Sequence, residues 1–217
     1  MRSDAEVQAD VQDELLWQTR VEAAREIAVF VHEGTVTLRG TVRSLGAKHA
    51  ATKAAKRVDG VRRIDNQLEV RLLTEHRRHD ADLRGDVLRA LSWNVFVPDS
   101  VDATVADGVV TLTGIVYTHD ERDAAEDAVR NLRGVTAIHD EMKLKSPMLA
   151  ADVTTRIEKA FERNAHIQAD AIRVDAVDGT ITLSGNVRTW VEHDAALDAA
   201  WAAPGVSDVK NELEIGY

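Results

Sequence analysis

The chain is 217 residues long, 44% hydrophobic and 29% charged, with 4% aromatic residues and no cysteine. Such a composition suits a soluble globular chain, and the missing cysteines exclude disulfides, thiolate nucleophiles and cysteine zinc sites. The net charge of −10 builds toward the C-terminus: residues 1–75 hold 12 Lys/Arg against 12 Asp/Glu, 76–146 hold 9 against 13, and 147–217 hold 6 against 12. That balance argues against a nucleic-acid partner, whose affinity rests on phosphate neutralisation.

In chain order, the first ten residues, M-R-S-D-A-E-V-Q-A-D, hold neither an apolar h-region nor a small-residue cleavage site. Taken as the natural start, they predict a cytoplasmic location. The longest uncharged apolar run, Ile27 to Val31, is far too short for a transmembrane segment. Val7, Val11 and Leu15 mark one face of a leading helix, which runs out in Leu16-Trp17. Ile27, Val29 and Val31 alternate as in a half-buried strand, and Glu33-Gly34 has the chemistry of a tight primed hairpin turn. The return strand buries Val36 and Leu38, and Gly40 is expected to close it and let the chain bend away. Ala51, Ala54, Ala55 and Val58 then form the stripe of an amphipathic helix whose small side chains imply close approach to the sheet. Gly60 is expected to end that helix, and V-R-R-I-D-N-Q-L-E-V supplies a third strand. A helical crossover between strands two and three predicts that they run parallel, in a mixed sheet.

This layout then recurs twice. E-G-T-V-T-L-R-G at 33–40 returns as D-G-V-V-T-L-T-G at 107–114 and D-G-T-I-T-L-S-G at 178–185. Hairpin glycines 34, 108 and 179 are each followed 26 residues later by Gly60, Gly134 and Gly205, so the unit repeats at spacings of 74 and 71. Gly114 and Gly185 match Gly40. The leading helices of the later copies carry Leu83, Val87 and Leu91, then Val153, Ile157 and Phe161; their crossover helices carry Ala125, Ala128, Val129 and Leu132, then Ala196, Ala199, Ala200 and Ala203. The fold class is therefore α+β: three tandem α-β-β-α-β units, each a small three-stranded mixed sheet packed on helices, with boundaries expected at 1–75, 76–146 and 147–217. The linkers near 71–80 and 145–149 are short, so the copies should touch.

The motif x-D-G-x-V-x-L-x-G followed by an alanine-rich helix and G-V-x-x-V-x-N-x-L-x-V resembles the BON (bacterial OsmY and nodulation) domain three times over. It rests on Gly34, Leu38, Gly40, Gly60, Val61, Asn66 and Leu68 in copy one, with matching residues in the others; copy two has Asp140 where copies one and three have Asn66 and Asn211. The resemblance implies a non-enzymatic binding module, with phospholipid contact and a link to osmotic or other stress as its function. Two alternatives stand beside it: a cytoplasmic sensor of a potassium-like cation or small ligand, and a protein–protein adaptor.

The residues themselves show no catalytic or cofactor motif: G-x-S-x-G, the P-loop, G-x-G-x-x-G and H-E-x-x-H are all missing. With Gly179 at the sixth position of an EF-hand loop, positions 1, 3 and 12 become Val174, Ala176 and Gly185, which supply no calcium ligands. His76 and His79 lie three apart in a linker, but no third metal ligand accompanies them. Glu121, Asp123, Glu126 and Asp127 read as a solvated helix face. The nine repeated glycines shape backbone. Trp17 and Trp93, each ending a leading helix, are expected to pack over a neighbouring sheet or copy, with insertion at a membrane interface or anchoring of a partner as the alternative. Trp190 and Trp201 are expected to cap the third core or meet another copy. Lys48, Lys53, Lys56 and Arg57, followed by Arg62 and Arg63, form a basic stretch confined to copy one. Its alternatives are a solvated helix face and a contact for anionic headgroups; if lipid is bound, copy one is expected to carry it.

Overall fold

The computed structural model describes residues 2–21, 24–73, 78–145 and 153–216. Each copy opens on a helix: α1 (Asp4–Trp17), α3 (Asp80–Trp93) and α5 (Val153–Arg163). The start of α1 follows from local chemistry. Ser3 Oγ accepts the Glu6 amide at 3.3 Å while the Glu6 carboxylate accepts the Ser3 amide at 2.8 Å, a reciprocal cap that satisfies two otherwise orphaned donors. Only one stripe per helix is buried, and it is the expected one: Val7, Val11 and Leu15; Leu83, Val87 and Leu91; Val153, Ile157 and Phe161.

Two strands and a crossover helix follow, then a third strand. Copy one has β1 (Ile27–His32), β2 (Thr35–Val42), α2 (Leu45–Ala55) and β3 (Arg63–Val70); copy two has β4 (Asp102–Ala106), β5 (Val109–Val116), α4 (His119–Arg130) and β6 (Ala137–Leu144). Copy three has β7 (Ile172–Val177), β8 (Thr180–Val187), α6 (Trp190–Trp201) and β9 (Asp208–Ile215). The middle strand of each sheet is the second in sequence. β1 pairs antiparallel with β2, and β2 pairs parallel with β3, as the crossover predicts; β7, β8 and β9 repeat this. At the hairpins Glu33 and Gly34 have φ of 49° and 75°, Asp107 and Gly108 50° and 76°, Asp178 and Gly179 48° and 85°. Two successive positive φ values match the twist of the flanking strands, which is why Asp-Gly and Glu-Gly recur there.

Helices cover one face of each sheet and leave the other open. On β2, Val36, Leu38 and Val42 point inward, while Thr35, Thr37, Arg39 and Thr41 line the outer face. Ala51, Ala54 and Ala55 are fully buried, so α2 sits close on the sheet. Leu38, Leu112 and Leu183 sit fully buried at equivalent points of the three copies, each contributing on the order of 2 kcal/mol by leaving water.

Two expectations about glycine are corrected. Gly40 does not close its strand: β2 continues to Val42, as β5 and β8 continue to Val116 and Val187. Its φ of 135° instead admits a close backbone approach, for a Cβ there would overlap the Glu26 carbonyl. Nor does Gly60 end its helix. α2 ends at Ala55 with Lys56 as its cap, and residues 56–60 follow as turns and a bend; the glycine serves the turn into β3. By packing, the chain forms two compact units, residues 1–114 with 122–142 and residues 115–121 with 143–217.

Candidate functional site

The leading helices end in a shared device. Asn94, just past α3, accepts the Phe96 amide on its side chain at 3.1 Å, donates from Nδ2 to the Ala124 carbonyl at 3.3 Å, and accepts the Val97 amide on its own carbonyl at 3.0 Å. The turn is thereby fixed, with Val97 half-buried, and Trp93, Val95 and Phe96 are 79%, 89% and 72% exposed. Asn164 builds the same turn in copy three, accepting the His166 amide at 3.0 Å and the Ile167 amide at 3.1 Å, but the residues it displays are Arg163, Ala165 and His166. In copy one Gln18 occupies the position, and Leu16 and Trp17 are 55% and 83% exposed. The expected packing of Trp17 and Trp93 is therefore corrected. Each indole follows the buried face of its helix by two residues, and a helix turns about 200° in that step, so it points to solvent.

The basic residues of copy one scatter over α2 and its end. Lys48 is half-buried and its carbonyl accepts Asn66 Nδ2 at 3.3 Å. Lys53 is exposed and Lys56 half-buried. Arg57 Nε donates to Glu14 Oε1 at 2.7 Å, one turn ahead of Trp17 on α1, which ties the cation to the aromatic helix end.

The acidic side chains do structural work that the sequence reading missed or misassigned. Asp4 accepts the Glu33 and Gly34 amides at 3.0 and 3.3 Å, and Asp80 accepts those of Asp107 and Gly108 at 2.8 and 3.0 Å. A carboxylate from each leading helix thus clamps the hairpin turn of its own copy. By counting, copy three has Ala150 at that position, outside the described residues; there the Gly179 carbonyl accepts Ser207 Oγ at 3.1 Å. Glu121 is not a merely solvated carboxylate: it accepts the Tyr117 amide at 2.7 Å and caps α4 with Thr118. The Glu192 carboxylate, 4% exposed, accepts the Gln168 and Arg188 amides at 2.6 and 2.8 Å. Burial raises the Glu126 carboxyl above its ordinary range against the opposing pull of Arg130, 3.2 Å away.

Asp140 also finds its explanation. The residue twelve before the second glycine is Lys48, Arg122 or His193 in the three copies. Arg122 Nε lies 2.9 Å from Asp140 and its Nη2 donates to the Met142 carbonyl at 2.8 Å. Asn66 instead donates to Thr52 Oγ1 at 2.6 Å, and Asn211 lies 2.9 Å from His193 Nε2. Helix and third strand have changed together. Among the described residues no group of three or more His, Asp or Glu is placed to hold a metal ion; His76 lies outside them. Nor is any helix among them long and apolar enough to cross a membrane.

A two-layer α-β-β-α-β unit with a glycine at its hairpin turn is thus used three times in this chain. The BON domain profile matches residues 3–71, 79–146 and 150–217, and the chain belongs to that family. It is similar to Osmotically-inducible protein Y of Escherichia coli K12, 29% identical over 114 residues, 49% of this chain and 57% of that protein, so the match spans little more than half the relative's length. It is also similar to the outer membrane lipoprotein DolP of Haemophilus influenzae Rd, 24% identical over 184 residues, 81% of this chain and 88% of the other. Among solved structures, CdsD, a structural protein of the Type III secretion system of Chlamydia trachomatis, aligns over 94% of this chain and 90% of its own at 13% identity, TM-score 0.26. The C-terminal domain of CdsD aligns over 100% of both chains at 12% identity, TM-score 0.28.

Proposed function

We propose that this chain is a non-enzymatic tandem binding scaffold that docks on phospholipid surfaces through its helix-end aromatics, in a role tied to the cell envelope and stress. One observation carries the reading: Trp93, Val95 and Phe96 stand exposed together on a turn fixed by Asn94. Holding large apolar side chains in water on a rigid turn marks an interaction surface, and an indole, apolar with one polar N–H, suits the headgroup boundary. Trp17 with Leu16, backed by Arg57, offers a smaller site of the same kind on copy one. The names of the two relatives, one osmotically inducible and one an outer membrane lipoprotein, support the same direction.

Flotation of the full chain with phosphatidylcholine vesicles, with and without anionic lipid, tests this. Trp93→Ser with Phe96→Ser is expected to weaken binding at least tenfold, about 1.4 kcal/mol or more, and Trp17→Ser to weaken it less. Val95→Ser should add to the first effect. Vesicle binding unchanged in the Trp93/Phe96 variant, or no binding by the unaltered chain, refutes the proposal.

A further inference from the structure

Within the first compact unit, the start of α2 in copy one faces the turn that follows α4 in copy two. A Cβ at Gly46 would collide with the Asn131 side-chain oxygen, so a glycine lets the two copies lie this close. Beside the contact opens a cavity of about 190 Å³, lined by Arg20, Arg43, Ser44 and Ala47 of copy one and by Asn131 and Arg133 of copy two. Three arginines from two copies thus border one small space, and among the described residues no Asp or Glu lines it. In a chain with 37 acidic residues against 27 Lys and Arg, this is a local reversal of sign. Like charges gathered at close range repel, and an anion between them turns the repulsion into attraction.

The sibling copies fill the corresponding place with a carboxylate. Seven residues past the glycine of β2, β5 or β8 stand Ala47, Glu121 and Glu192. In every copy the hydroxyl three residues earlier accepts the amide of this residue: Ser44 from Ala47 at 3.1 Å, Thr118 from Glu121 at 3.2 Å, and Thr189 from Glu192 at 3.1 Å. The three helix starts therefore share one frame. In copies two and three the carboxylate turns back to accept the amide just before the hydroxyl residue, that of Tyr117 at 2.7 Å and that of Arg188 at 2.8 Å. Copy one has the same amide, on Arg43, but a methyl group in place of the carboxylate, and Ala47 lines the cavity. Rings cover the start of α4, where His119 lies flat on Trp201 with centroids 4.2 Å apart and planes 10° from parallel. Guanidiniums flank the start of α2 instead.

We infer that this cavity binds a phosphate group, free or as a monoester, in the place of the carboxylate that the other two copies carry. The three arginines carry the inference: planar guanidiniums match phosphate oxygens two at a time. The Arg43 amide and the start of α2 add backbone donors of the kind that suit an anion. The cavity is smaller than the roughly 300–1,000 Å³ that drug-sized ligands occupy, which selects a compact anion. Because Arg20 and Arg43 belong to one copy and Arg133 to the next, an occupant bridges the two.

Isothermal titration calorimetry of the full chain with sodium phosphate at pH 8, where a phosphate monoester is a dianion, is expected to saturate with a Kd of about 1 mM or tighter. Sodium chloride at equal ionic strength should give no such isotherm. Arg43→Gln with Arg133→Gln, both exposed, should raise the Kd at least about tenfold. Ala47→Glu restores a capping box with Ser44; it should fold, melt no lower than the parent, and weaken phosphate binding by at least about tenfold. Trp93→Ser with Phe96→Ser should bind phosphate as the parent does, which separates this site from the aromatic one. Glycerol 3-phosphate binding as tightly as phosphate assigns a soluble ester. Flotation on phosphatidylcholine vesicles containing phosphatidic acid that depends on Arg43 and Arg133, without glycerol 3-phosphate binding, assigns a lipid headgroup. A phosphate Kd above about 1 mM, an isotherm reproduced by chloride, or binding undiminished in the arginine variant or in Ala47→Glu overturns the inference.

Discussion

Alanine at two glycines of copy two should give opposite results. Gly114 sits in β5 at φ 131°, where a Cβ would lie 2.9 Å from Val101 Cα and closer still to the Ser100 carbonyl oxygen. Both neighbours are backbone, so β4 must separate from β5. The dihedral alone costs about 1–3 kcal/mol, and with the collision Gly114→Ala should remove about 3 kcal/mol or more from copy two. Gly85 lies inside α3 with nothing within 4 Å of its would-be Cβ. Gly85→Ala should add about 1 kcal/mol, the ordinary helix-propensity difference. In a unit of this size 1 kcal/mol moves the midpoint by about 4–8 °C, so the pair should straddle the parent by about 16 °C or more. A chain of three copies need not melt in one step, so hydrogen exchange of copy-two peptides, followed by mass spectrometry, is the decisive readout alongside the melting curve. If Gly114→Ala cost less than about 1 kcal/mol, or Gly85→Ala destabilised, the account of these backbones would be wrong.

Two further outcomes follow from side chains. Asp80→Ala removes a charged acceptor from the 107–108 amides and should cost about 1–2 kcal/mol, with exchange of those two amides accelerated most; unchanged exchange there would remove Asp80 from the turn. Partial desolvation first, then the charges of Arg130 and Lys48, hold the still solvent-touching His49 below its ordinary 6.5 despite the pull of Asp127. The folded state thus prefers the neutral ring, and the associated stability is present above pH 6.5 and is lost as pH falls through the depressed folded value. Between about pH 8 and about pH 5 the parent should lose more stability than His49→Gln, and parallel melting curves for the two would refute the assignment.

The repeat was legible because the residues that encode it have backbone reasons to recur. Asp-Gly at 107–108 and 178–179 declares two positive φ values, and Val36-x-Leu38 or Ile181-x-Leu183 declares a half-buried strand. Gly40 and Gly60 were found but misread, since a glycine required for close approach and one required for a stop look alike in a string of letters. Asp4 and Asp80 went unnoticed: each acts on amides 27 to 30 positions away, with no periodicity to announce the link, although both open a leading helix. Trp17 and Trp93 were expected to pack because indoles usually do; their place two residues beyond Leu15 and Leu91 already set them on the opposite side. The meeting of His119 with Trp201 lies in no motif, because it joins the start of one helix to the end of another more than 80 residues on.

Three neighbours of one fold on one chain face a danger during synthesis, since the last strand of one unit can insert into the sheet of another. Copy two is flanked by siblings on both sides. Were the Asn66 or Asn211 strand to enter its sheet, Arg122, whose side chain is 22% exposed, would meet an amide at the position where Asp140 now stands 2.9 Å away. Asp140, standing where the siblings carry asparagine, thus gives Arg122 of the central module a charged partner that neither sibling strand has at that position.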